Sequence, residues 1–223
     1  MKKYALISLL YISAITGFGQ NHKFTLGVSG GPNYSFLKNN TFEKNHDNAI
    51  FCFSSGFTLN YTFSKLLSIE TGIGLEQTGS ITDYYSMYID GLHLGEYRDL
   101  THYNYLVFPI LLKTSIGDKI IFFTNTGCFI SHLISAQEIS QTTYQPNDQG
   151  DITNYTNRTN YGITIGIGLS FPLTNRIEFS AEIRNNIGMC NIVKNMPPSF
   201  SNEKTNSINL LVGIKYHLKQ RKS

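Results

Sequence analysis

Six histidines, three cysteines and a scatter of carboxylates are the groups in this chain that could do chemistry. His22, His46, His93, His102, His132 and His217 lack the paired spacing that holds zinc, and no cysteine pair supplies it. Cys52, Cys128 and Cys190 are odd in number and cannot all pair within the chain, so they read as small buried side chains. His102 with Ser131-His132 is one set that a Ser-His-acid lipid hydrolase could use, but plain strand positions explain these residues better. The glycines of GITIGIGLS, from Gly162, lack the Lys and Ser or Thr of a phosphate loop and sit inside a strand pattern. Asp83, Asp90, Asp148 and Asp151 fall in polar stretches without calcium-loop spacing and read as solvated surface. No catalytic, cofactor-binding or metal-binding residue is therefore assigned, and no enzyme activity is expected.

The charges that remain are Glu70, Glu76, Lys113, Glu178, Glu182, Arg184 and Lys215, and each shares a face with small or polar residues in an otherwise apolar stretch. Their surroundings alternate strictly. In AIFCFSSGFTLNYTF, residues 49–63, Ala49, Phe51, Phe53, Phe57, Leu59, Tyr61 and Phe63 share one face. Cys52, Ser54, Gly56, Thr58, Asn60 and Thr62 share the other, which is the period of a β-strand. The pattern recurs around Phe24–Phe36, Leu67–Glu76, Tyr105–Lys113, Asn160–Phe171, Ile177–Arg184 and Ser207–Leu218. A further strand near Lys119–Ser135 is apolar on both faces, and its sides are not assigned; together these make eight. Short connections near Ser64-Lys65, Gly117-Asp118 and Leu173-Thr174-Asn175 alternate with long polar ones near 38–48, 79–101, 136–158 and 190–205. That segregation of short turns from long loops is the mark of an up-and-down barrel.

Which face looks inward follows from charge. The apolar faces of the assignable strands carry no Asp, Glu, Lys or Arg, while the polar faces carry all seven charges named above. A soluble β-protein would need that polar face as its whole exterior and would crowd it with Lys and Glu, not Gly, Ser and Thr. Charged residues are only 15% of the chain, against a usual quarter or so. The phenylalanine-bearing faces are thus expected to meet lipid, with the seven charges paired in a lumen just wide enough for side chains. That network is expected to be structural and to plug any pore. Pro109 fits a closed ladder poorly and implies a local bulge. Tyr34, Tyr61, Tyr103, Tyr105, Tyr161 and Tyr216 lie near strand ends and read as interfacial girdles.

Lys2-Lys3, the apolar run Tyr4–Ile15 and Gly17-Phe18-Gly19 read as a signal peptide over residues 1–19, leaving residues 20–223 as the barrel domain. The apolar run is too short for a spanning helix, which needs roughly 20 residues. Without Lys2 and Lys3 the balance is 16 basic against 15 acidic residues, which gives no reason to expect a nucleic-acid partner.

The stretches NYLVFPILLKTS (104–115), TGCFISHLISA (126–136), EFSAEIRNNIGMCNI (178–192) and INLLVGIKYHL (208–218) resemble the PorT-like outer-membrane β-barrel family of Gram-negative envelopes. Val107 stands where members of that family often carry Glu, and the chain runs past Leu218 with a basic tail, Lys219–Ser223. The resemblance implies an all-β, eight-stranded antiparallel transmembrane barrel in the outer membrane, with periplasmic termini. It also implies a structural or interaction role, as an accessory to protein secretion, exercised on lipid and on other envelope proteins through long extracellular loops. A transporter or receptor for small hydrophobic molecules is the alternative; a lateral gap between strands and an apolar lumen would favour it. A lipid-modifying enzyme ranks third.

Overall fold

The computed structural model describes residues 23–38, 47–84, 88–89, 92–93, 97–142, 148–194 and 202–218. The signal-peptide segment and the basic tail lie outside these residues. Eight strands form the body: β1 (Lys23–Lys38), β2 (Ile50–Thr62), β3 (Leu67–Tyr84), β4 (Tyr97–Ile116), β5 (Ile121–Thr142), β6 (Thr159–Pro172), β7 (Ile177–Gly188) and β8 (Lys204–His217). Each pairs antiparallel with its neighbour in sequence, and β8 pairs back onto β1. Closure satisfies the backbone without leaving an edge, which is what a hydrocarbon environment demands of strands.

The register fixes the width of the barrel. Opposite partners run Thr25, Asn60, Glu70, Leu111, Gly127, Thr164, Asn186, Ser207 and back to β1 at Ser35, ten residues beyond Thr25. A stagger of that size over eight strands tilts them by roughly 35–45° and leaves an interior that side chains fill.

Side chains obey the alternation. Phe51 is 77% exposed and Phe57 67%, while Cys52, Ser54 and Asn60 between and beyond them are buried inside. On β5, whose sides the sequence left open, Phe122, Thr124, Thr126, Cys128 and Ile130 point out, and Phe123, Asn125, Phe129, Ser131 and Leu133 point in. The apolar interior positions of this strand belong to the packing of the lumen. Glycine makes room where the interior is tightest: a Cβ at Gly166 would collide with the Glu182 carboxylate, and one at Gly168 with the Phe123 ring.

Three short turns close one end. Ser64 Oγ accepts from Leu67 N at 3.1 Å and Thr174 Oγ1 from Ile177 N at 3.0 Å, so the same hydroxyl device shapes two of them. In the third, Gly117 takes φ 114°, a conformation other residues rarely adopt. Both described chain ends lie at this end, where Thr25 pairs opposite His217.

At the other end the strands outrun expectation. Segments 79–84, 97–101 and 136–142 are strand, not loop, and extend β3, β4 and β5 to 18, 20 and 22 residues. Asp148–Asp151 adds an exposed short strand to β5, and Asp47–Asn48 adds to β3. The bulge expected at Pro109 is not there: the β3–β4 register is the same at Thr71–Ile110 and Gly74–Val107, and the ladder omits the two pairs between. The Thr71 hydroxyl donates to the Pro109 carbonyl at 2.9 Å across this gap. A register shift occurs instead on the β5 side of β4, between Asn104 and Tyr105.

Candidate functional site

The lumen is where most of the chemistry-bearing side chains gather. Glu182 and Arg184 sit two apart on β7, hence on one face, and Arg184 Nε reaches Glu182 Oε1 at 2.8 Å. Arg184 Nη2 donates to Glu182 Oε2 and to Glu70 Oε1, both at 2.8 Å, so one guanidinium fork joins carboxylates on β7 and β3. Lys215 Nζ completes the group at 2.9 Å from Glu70 Oε2. Amides add to it: Asn60 Nδ2 donates to Glu70 at 3.1 Å and Asn125 Nδ2 to Glu182 at 2.9 Å. Each charge thus keeps partners in place of the water it lost, the condition under which buried ions are tolerated.

The other three luminal charges stand apart from this core. Glu76 meets no cation within ion-pair distance among the described residues. It accepts instead from Asn186 Nδ2 at 2.8 Å, from the Ser207 hydroxyl and from Asn209 Nδ2 at 3.5 Å. Ser54 and Asn33 carry that chain on, with Ser54 Oγ donating to Asn209 Oδ1 at 2.6 Å and Asn33 Nδ2 to Ser54 Oγ at 2.7 Å. Glu178 sits 3.2 Å from His217 Nε2, whose Nδ1 contacts Thr25 Oγ1 at 2.9 Å. Lys113 Nζ lies over the Phe123 ring, 3.9 Å from its centroid.

Toward the loop end the lining turns apolar. Tyr103, Tyr105, Val107, Phe129, Leu133 and Ala136 form one buried cluster, and Ile192 enters it from the β7–β8 connection with 1% exposure. Tyr103 and Tyr105 are therefore interior residues and not girdle residues: they continue the inward series of Val107 on β4. Tyr34, Tyr61, Tyr161 and Tyr216 do lie outward. A cap holds Ile192 in place. Asn157 N donates to Ile192 O at 2.7 Å, Lys194 N to Tyr155 O at 2.9 Å, and Ile152 N to Ala136 O at 3.0 Å.

The remaining candidates are dispersed. Ser131 is buried inside while His132 is exposed outside, opposite Leu106, and His102 lies four residues further along β4. The structure does not bring this set together. Cys52 is buried, but Cys128 is exposed on the outer face and Cys190 is half-buried, so the three are not all buried fillers; all are free. Sequence reasoning missed Asn125, Asn186 and the Phe123 ring as partners of the charges, and Ile192 as a closing residue. The alternating pattern could have found Asn186, which continues the inward series of β7 beyond Arg184.

Comparison with known proteins agrees with this architecture. The sequence profile described as "Outer membrane protein beta-barrel domain" matches residues 18–194. Neisserial surface protein A is similar in structure at 10% identity, with 88% of this chain and 99% of that one covered and a TM-score of 0.47. OprG from Pseudomonas aeruginosa is similar at 14% identity, 90% and 99% coverage and a TM-score of 0.42. Ail, the attachment invasion locus protein of Yersinia pestis, is similar at 12% identity, 87% and 98% coverage and a TM-score of 0.41. No curated protein matches the chain.

Proposed function

Because the chain belongs to the outer membrane protein beta-barrel domain family, we propose that it acts as a non-enzymatic contact protein of the Gram-negative envelope. In this reading residues 1–19 are a cleaved signal peptide, the termini are periplasmic, and the loop end faces outward. The PorT-like resemblance adds a role as accessory to protein secretion. The observation that carries the reading is the length of β3, β4 and β5, 18, 20 and 22 residues, where about 9–11 suffice to cross a bilayer. The excess lies at the loop end and, with the exposed strand Asp148–Asp151, offers a rigid sheet to a partner. The lumen is occupied by ion pairs and apolar side chains, which leaves the outer surfaces to do the work. A photo-crosslinker at Gln149 in intact cells should capture a defined envelope protein that the same crosslinker at lipid-facing Ile183 does not. Equal labelling at both positions, or none at Gln149, contradicts the contact role.

One observation favours passage of a small hydrophobic molecule as a second reading. Between the pairs Asn48–Ile81 and Ser54–Glu76 the β2–β3 ladder has no partners, and side chains of β1 serve β3 there: Asn33 Nδ2 donates to Gln77 O at 2.9 Å and Gly79 N to Ser35 Oγ at 3.0 Å. Proteoliposomes should then take up a hydrophobic dye faster than protein-free vesicles; equal rates remove this reading.

A further inference from the structure

Among the luminal cations, one is left without an ion pair. Arg184 is held by Glu70 and Glu182, Lys215 by Glu70, and Glu178 by His217. Lys113, only 6% exposed, has no carboxylate within ion-pair distance among the described residues, although Glu70 and Glu178 lie near enough to attract it. Its ammonium sits over the Phe123 ring and close to Lys215, whose Nζ approaches the same ring to 5.4 Å from the centroid. Two ammonium groups therefore share one aromatic ring in a narrow interior; Glu70 is bonded to Lys215, which leaves Lys113 without a directly bonded anion.

Space for one lies beside them. A cavity of ≈ 160 Å³ at the turn end is bordered by Lys113 and Lys215, and its rim is made by the β2–β3 and β4–β5 turns, with exposed Lys65 on it. Ser68, directly opposite Lys113 in the ladder, and Ser115, two residues along the same inward face, also border it. Neither serine hydroxyl has a partner among the described residues. Glu178 borders the cavity too, so the site favours an anion of low charge.

We propose that this cavity binds a small oxyanion of the phosphate type, with Lys113 Nζ as its main contact, Ser68 and Ser115 donating hydroxyl hydrogen bonds, and Lys215 and Lys65 adding positive potential. Ammonium and hydroxyl donors together suit a compact oxyanion, for which lysine acts as a point charge. The site is separate from the loop-end surface and does not depend on the function proposed for it.

The test uses the purified full-length mature protein in a maltoside detergent, which carries no phosphate. Inorganic phosphate is titrated at constant ionic strength against chloride, with binding followed by calorimetry and by the thermal midpoint of the compact band on gels. The wild-type protein should show saturable binding and a raised midpoint. Lys113→Met should keep the compact band and lose about tenfold or more in affinity, the usual effect of removing a charged hydrogen bond. Ser68→Ala should lose a smaller factor. Titration with a short-chain phosphatidylglycerol separates the sources: no competition assigns a free anion, and displacement of phosphate assigns a lipid headgroup. Absence of saturable phosphate binding in the wild type overturns the proposal. So does unchanged affinity in Lys113→Met or, should that variant not fold, in both Lys113→Gln and Ser68→Ala.

Discussion

Arg184 touches two carboxylates at once, so its replacement by Met leaves Glu182 with the Asn125 amide and Glu70 with Lys215 and Asn60. Stranding buried carboxylate charge in this way costs about 3–5 kcal/mol. Arg184→Met should therefore lower the unfolding free energy read from a urea titration by that much, and with it the midpoint, and Arg184→Lys should recover only part, because an ammonium cannot fork between two carboxylates. An unchanged midpoint would mean that the network contributes nothing to stability. Glu182 and Arg184 were legible as luminal partners because they lie two apart on a strand face. The amide cage of Glu76 was not: its donors come from β7 and β8, more than a hundred residues away. Tyr103 and Tyr105 were misplaced because tyrosine near a strand end suggested an interface, although both occupy the inward parity of Val107 and Leu111.

At the scale of elements, parity was readable and length was not. Period two survives wherever one face meets lipid and the other a crowded lumen, so most strands of the barrel could be sided from sequence. Toward the loop end the two faces differ less in polarity, with small residues such as Ser80, Thr82 and Ala136 at the buried inward positions, and such stretches read as loop; residues 79–84 and 136–142 disappeared for that reason. Ile192 gave no periodic signal because it enters the mouth from a connection. Ile192→Ala should unseat the cap without melting the barrel. Amide exchange should accelerate at Asn157 and Lys194, whose N–H groups bind within the cap, and stay slow on β1 at Val28. Uniform acceleration along the chain would show that the cap is not an independent unit.

Taken whole, the molecule is a closed eight-stranded outer-membrane barrel, with charged side chains packed toward the turn end of its lumen and apolar ones toward the loop end. Planar bilayers containing the protein should show no large, stable conductance, and a steady open channel would mean that the lumen is not filled in the membrane. Everything rests on sidedness, with aromatic and aliphatic faces against lipid and polar faces within. The chain contains no tryptophan, so single substitutions report without background. Phe57→Trp on the outer face and Phe129→Trp in the lumen, each in vesicles of lipid brominated at mid-chain, measure it directly. Strong quenching of the tryptophan at position 57 and little at 129 is the predicted result; equal quenching, or the reverse order, would contradict the account.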